Sequence, residues 1–114
     1  MSNPVSTSDI TTFLAKAKNL ISIGKYDFVP RRKNLQALAQ HGLTIADVKN
    51  EILGLVVGNY YKGPKQDLNP NRPGDIWEFK KDVDGIKFYV KVKIVQENGE
   101  DILKCLGFHE DDFA

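Results

Sequence analysis

IKFYVKVKIV (86–95) alternates without a break: Ile86, Phe88, Val90, Val92 and Ile94 are apolar, and Lys87, Tyr89, Lys91 and Lys93 stand between them. Successive strand side chains point to opposite faces, so this pattern specifies a β-strand with one buried face and one polar face. VDG (83–85) before it carries the Asp-Gly hairpin signal, and QENGED (96–101) after it reads as a second hairpin turn. IWEFKK (76–81) and ILKCLGFH (102–109) then become its antiparallel partners in a three-stranded meander.

The last of these strands breaks parity. Strict alternation puts Ile102, Lys104, Leu106 and Phe108 on one side, and Leu103, Cys105, Gly107 and His109 on the other. Lys104 is then misplaced, unless Gly107 marks a bulge or the strand lies at an edge. With Leu106 and Phe108 inward, His109 faces the same side as Tyr89.

Upstream, the apolar period changes from two to 3.6. Ile10, Phe13, Leu14, Ala17, Leu20 and Ile21 form the stripe of an amphipathic helix over 10–21, with Ser8 as its N-cap, Asp9 in the first turn and Gly24 as its stop. YDFVP (26–30) is a short extended piece. A second helix over 32–40 turns Leu35, Leu38 and Ala39 inward and ends at Gly42. Thr44 and Asp47 form a capping box for a third helix over 45–55, with Ile45, Val48, Ile52 and Leu55 on one face. The segment 56–75 holds three of the five prolines and reads mostly as loop. The expected fold class is α+β, with N-terminal helices packed on an antiparallel β-sheet.

The 114 residues form one expected domain, 1–114, with a flexible start over 1–8 and an acidic tail over 110–114. Apolar residues make up 41% and charged residues 27%, which suits a folded chain with one core. The single cysteine, Cys105, excludes an internal disulfide framework and reads as a small buried hydrophobe. No apolar run approaches the ~18 residues of a membrane span, and MSNPVSTSD has neither the basic nor the apolar region of a signal peptide, so the expected location is cytoplasmic. Net charge is +1, but it is unevenly placed. Residues 60–93 carry eight basic against five acidic side chains, and 97–114 carry one against six.

The chemistry-bearing residues converge on the polar sheet face. They are Lys62 after an aromatic pair, Glu78 and Lys80 on the first strand of the meander, Tyr89, Lys91 and Lys93 on the second with Lys87 at its start, and His109 on the third. No thiol or metal-ligand cluster is evident, and His41 reads as a loop residue; no cofactor is expected. Acid/base groups among cations suit RNA phosphodiester cleavage. There the internal 2′-OH is the nucleophile, and the protein has only to move protons and stabilise a phosphorane. Tyr89 can hydrogen-bond or stack on a base. Arg31, Arg32 and Lys33 are a candidate secondary phosphate contact. Two other classes fit the same residues: a non-catalytic RNA-binding module, and a protein-interaction domain that grips a partner with 56–75.

GLTIADVKNEILGL (42–55), NYYKGP (59–64), DIWEF (75–79), KFYVKVKI (87–94) and CLGFHED (105–111), in this order, resemble the MqsR family of type II toxin–antitoxin ribonucleases. The resemblance implies a RelE-like fold, metal-independent cleavage of mRNA, free or with ribosome association, and neutralisation by a cognate antitoxin protein. It places Lys62, Glu78, Tyr89 and His109 at the catalytic positions; the lysines of the sheet face, Lys80, Lys87, Lys91 and Lys93, are the expected RNA contacts on the residue reading. Two residues depart from the founding pattern: Glu78 stands where a glutamine is found, and His109 where a lysine is found.

Overall fold

The computed structural model describes residues 5–67 and 74–111. The fold is α+β: three helices pack on a five-stranded mixed sheet. In chain order the elements are α1 (Thr7–Ser22), β1 (Tyr26–Phe28), α2 (Arg32–His41), α3 (Ile45–Leu53), a 3-10 turn (Val57–Asn59), β2 (Tyr60–Gln66), β3 (Asp75–Val83), β4 (Ile86–Glu97) and β5 (Glu100–Glu110). The strands lie in the order β1-β5-β4-β3-β2, with β1 parallel to β5 and every other pair antiparallel.

The meander forms as the patterning requires. Asp84 and Asn98, each followed by glycine, take positive φ at the two hairpin turns, the backbone that tight hairpins need. Trp77, Phe79, Phe88, Val90 and Val92 face the helices and are buried. Phe13 of α1 stacks on Trp77 with ring centroids 4.4 Å apart, and Val48 and Ile52 of α3 complete this layer.

The helix ends follow side-chain capping more closely than apolar spacing. Ser6, not Ser8, caps α1: its hydroxyl accepts from Asp9 N, and the Asp9 carboxylate accepts from Ser6 N. Thr7 and Ser8 therefore belong to the helix. Residues 1–4 lie outside the described residues, as do 112–114 of the acidic tail, while Glu110 ends β5. Thr44 and Asp47 cap α3 as expected, although Ile45 is exposed. The inward face of α2 is Asn34, Ala37 and Leu38, whereas Leu35 and Ala39 face out.

Asn34 replaces apolar Leu35 on that face because its amide does the work of a strand. β1 ends after three residues, and Val29 N makes the last backbone bond to β5, at Cys105 O. Beyond it the Asn34 amide donates to Leu106 O at 3.0 Å and accepts from Phe108 N at 3.0 Å. One side chain thus satisfies backbone groups that the short strand leaves open.

The same stretch carries the bulge. Lys91 opposes Gly107 and Val92 opposes Cys105, so Leu106 is the extra residue. Parity flips there. Leu103 and Cys105 point to the core before the bulge and Phe108 does so after it, which leaves Lys104 opposite Lys93 on the outer face.

The described start of the segment 56–75 is more ordered than its composition suggests. It forms the 3-10 turn and β2, an edge strand that shifts register on both sides of Lys62. At Gly63 the φ of 116° and a virtual Cβ only 2.6 Å from Ile76 O exclude any side chain. Residues 68–73 lie outside the described residues. Among those described, no helix is long and apolar enough to cross a membrane.

Candidate functional site

Strand register brings the outer-face side chains into two rows. Lys80 opposes Tyr89, which opposes His109. In the next row Lys62 opposes Glu78, Glu78 opposes Lys91, and Lys91 opposes Gly107. Directly opposed residues hold their Cβ atoms about 5 Å apart. The rows therefore bring Lys62, Glu78, Tyr89 and His109 into one cleft of about 270 Å³, together with Lys80.

Gly107 lies beside the His109 and Tyr89 walls of the cleft. A Cβ there would sit 3.3 Å from Lys91 Cβ and 3.8 Å from both His109 Nε2 and Tyr89 Cε1. The His109 and Tyr89 rings lie 5.3 Å apart, tilted by 31°. His109 Nδ1 is 3.0 Å from Glu110 O. A carbonyl oxygen only accepts, so Nδ1 is the donor in this contact and Nε2 is the nitrogen turned toward Gly107.

Glu78 is 4% exposed, and its Oε2 lies 2.7 Å from Lys65 Nζ of β2. That oxygen has no aligned hydrogen bond despite the short ionic contact, so the attraction is chiefly between charges. Lys91 faces it from β4. Burial lowers the Lys91 amine from its ordinary value, and the positive charge of Arg31 lowers it further. Lys80 Nζ lies 2.8 Å from Asp111 Oδ2, and this contact with the carboxylate holds the Lys80 amine above its ordinary value.

Two lining residues, Tyr61 and Asp111, come from outside the predicted set. Tyr61 is the extra residue of the first β2 irregularity, with Lys80 Nζ 4.0 Å and Lys62 Nζ 5.0 Å from its ring centroid. Both distances suit cation–π attraction. The aromatic pair before Lys62 was the available signal. Lys33 of α2, from the basic run, also lines the cleft, and Asp111 closes the set.

Three of the four expected RNA contacts do not line the cleft: Lys91 stands in the row opposite Glu78 but is not among the lining residues. Lys93 is 3% exposed, and its Nζ is held by Asp67 at 2.8 Å, so it is not presented to a ligand. Lys87 opposes Asp82, one row outside the cleft. His41 is the last residue of α2 rather than a loop residue, and its ring packs edge-on against Phe88 at 5.1 Å. Cys105 is fully buried, and burial pushes its thiol up to about 12, so it is no nucleophile at neutral pH. Among the described residues, no group of three or more His, Cys, Asp or Glu side chains is placed to hold a metal.

The arrangement combines a buried carboxylate, an imidazole, a phenol and several ammonium groups around one open cleft. Such a set can bind an anion and move a proton on and off it. Comparison of the chain with protein-family models and with curated proteins gives no match.

Proposed function

We propose that this protein is an endoribonuclease that cleaves single-stranded mRNA by 2′-OH attack, and that it acts as the toxin of a type II toxin–antitoxin pair. The observation that carries the reading is the cleft in which Lys62, Glu78, Lys80, Tyr89 and His109 meet. The MqsR-like order of motifs supports it independently.

The proposed chemistry uses those groups in fixed roles. The substrate's 2′-oxygen attacks phosphorus while the Glu78 carboxylate takes its proton. Lys62 and Lys80 stabilise the extra negative charge of the phosphorane. His109, protonated, gives its Nε2 proton to the departing 5′-oxygen. The products are a 2′,3′-cyclic phosphate and a 5′-OH end, and the proton gained by Glu78 balances the one lost by His109. Tyr89 stacks beside His109 and fixes its ring.

The test is incubation of the purified protein with a long single-stranded RNA in excess EDTA, followed by analysis of the 3′ ends. Cyclic phosphate ends from wild type, and intact RNA with Lys62→Ala, Glu78→Ala and His109→Ala, are expected. Wild-type cleavage by all three variants would sink the reading.

A further inference from the structure

The cleft continues past His109. His109 and Lys33 also line a second depression of about 150 Å³, between α2 and the end of β5. Its other walls are Gln36, Gln40 and His41 of α2, with Glu110 of β5. Gln36 and Gln40 are four residues apart, so they stand one turn apart on the same face of the helix. Ala37, buried between them, keeps the floor low.

The chemistry of these walls differs from that of the cleft. A phosphate only accepts hydrogen bonds, and a pocket built for one would carry donors. Here each glutamine amide both donates and accepts, Lys33 donates and Glu110 accepts. A base edge presents donors and acceptors side by side, so the set matches a base better than a phosphate.

We infer that this depression holds the unpaired base of the nucleotide next to the reacting phosphate on the His109 side, and that Gln36 and Gln40 select which base it is. The inference rests on the ribonuclease reading, because a phosphate in the cleft is what sends the adjoining nucleotide past His109. A base in a duplex has its edge engaged by its partner, so the ligand is a single strand. Glutamines that read a base edge discriminate by about tenfold to a hundredfold. Both are exposed and neither lines the cleft, so removing them leaves the proposed catalytic groups in place.

The test is equilibrium binding to a randomised single-stranded pool made with 2′-deoxy sugars, which cannot be cleaved by 2′-OH attack. The bound fraction is sequenced for wild type and for a Gln36→Ala, Gln40→Ala double variant. Wild type is expected to enrich one base at one position, and the double variant to lose that enrichment by about tenfold while still binding the pool. Equal enrichment by both proteins, or no binding by wild type, overturns the inference. Selective binding by wild type without cleavage of natural RNA would fail the ribonuclease reading alone and leave the base subsite standing.

Discussion

Lys80 Nζ lies 2.8 Å from Asp111 Oδ2, so a central cation of the cleft already carries a carboxylate that the same chain supplies. The Asp111 side chain is only 4% exposed, and its backbone N is tied to Lys87 O at 2.9 Å. Such a carboxylate competes with any incoming phosphate for the Lys80 ammonium.

Asp111→Asn is therefore expected to tighten RNA binding several-fold at low salt. Each phosphate newly paired to a lysine steepens the salt dependence of single-strand binding by roughly 0.7 in the log–log slope. Titration of a labelled, non-cleavable strand at several salt concentrations reads both quantities. An unchanged affinity and slope would show that Lys80 meets no phosphate.

Gly107 gives a second prediction. Gly107→Ala places a methyl group 3.3 Å from Lys91 Cβ and 3.8 Å from His109 Nε2, beside the His109 wall of the cleft. No positive φ is recorded at this position, so the backbone admits alanine, while the 3.3 Å contact makes Lys91 give way by a few tenths of an ångström. Misplacement of a reacting group by about 1 Å can lower the rate about a hundredfold, and a loss between tenfold and that value is expected. Single-turnover cleavage, with circular dichroism as a fold control, checks it. Full activity in the alanine variant would move the reaction away from this wall.

Asn34 gives a prediction for stability. Asn34→Ala leaves Leu106 O and Phe108 N without the partners they have at 3.0 Å each. Each orphaned buried backbone group costs about 1–3 kcal/mol, so a loss of about 2–6 kcal/mol is expected in urea unfolding. A loss under about 1 kcal/mol would mean that water replaces the amide at the strand edge.

Much of this architecture is readable from residue order because sheet patterning is local. The alternation over 86–95 and the Asp-Gly turn fix the β3–β4 register, and that register alone puts Glu78, Lys80, Tyr89 and Lys91 on one face. His109 joins them only through the bulge at Leu106, which broken parity announces without locating. Other features depend on partners distant in sequence. Lys93 reads as exposed by parity, yet Asp67 buries it. Leu35 reads as core by spacing, yet an open strand edge recruits Asn34 instead. β2 is masked by Gly63 and Pro64, residues that break a central strand but are admitted at an irregular edge.

Lys91 links stability to the site through pH. Burial lowers its amine from the ordinary lysine value of 10.5. The unfolded chain therefore binds more protons than the folded one between the lowered value and 10.5, and the sign of linkage makes stability rise with pH across that window. Below it, Lys91 is charged in both states and its desolvation opposes folding. Lys91→Met removes that opposition and keeps the apolar stem, so an increase in Tm of about 2–4 °C near neutral pH is expected, of the size that follows from a fraction of a kcal/mol in a domain of this length. The same change removes the cation opposite Glu78 and should weaken RNA binding. Thermal unfolding of both proteins from pH 7 to pH 10.5 tests the linkage, since the advantage of the variant should shrink as the wild-type amine loses its proton. A lower Tm for Lys91→Met at pH 7 would mean that attraction to Glu78 outweighs the cost of burying the ammonium.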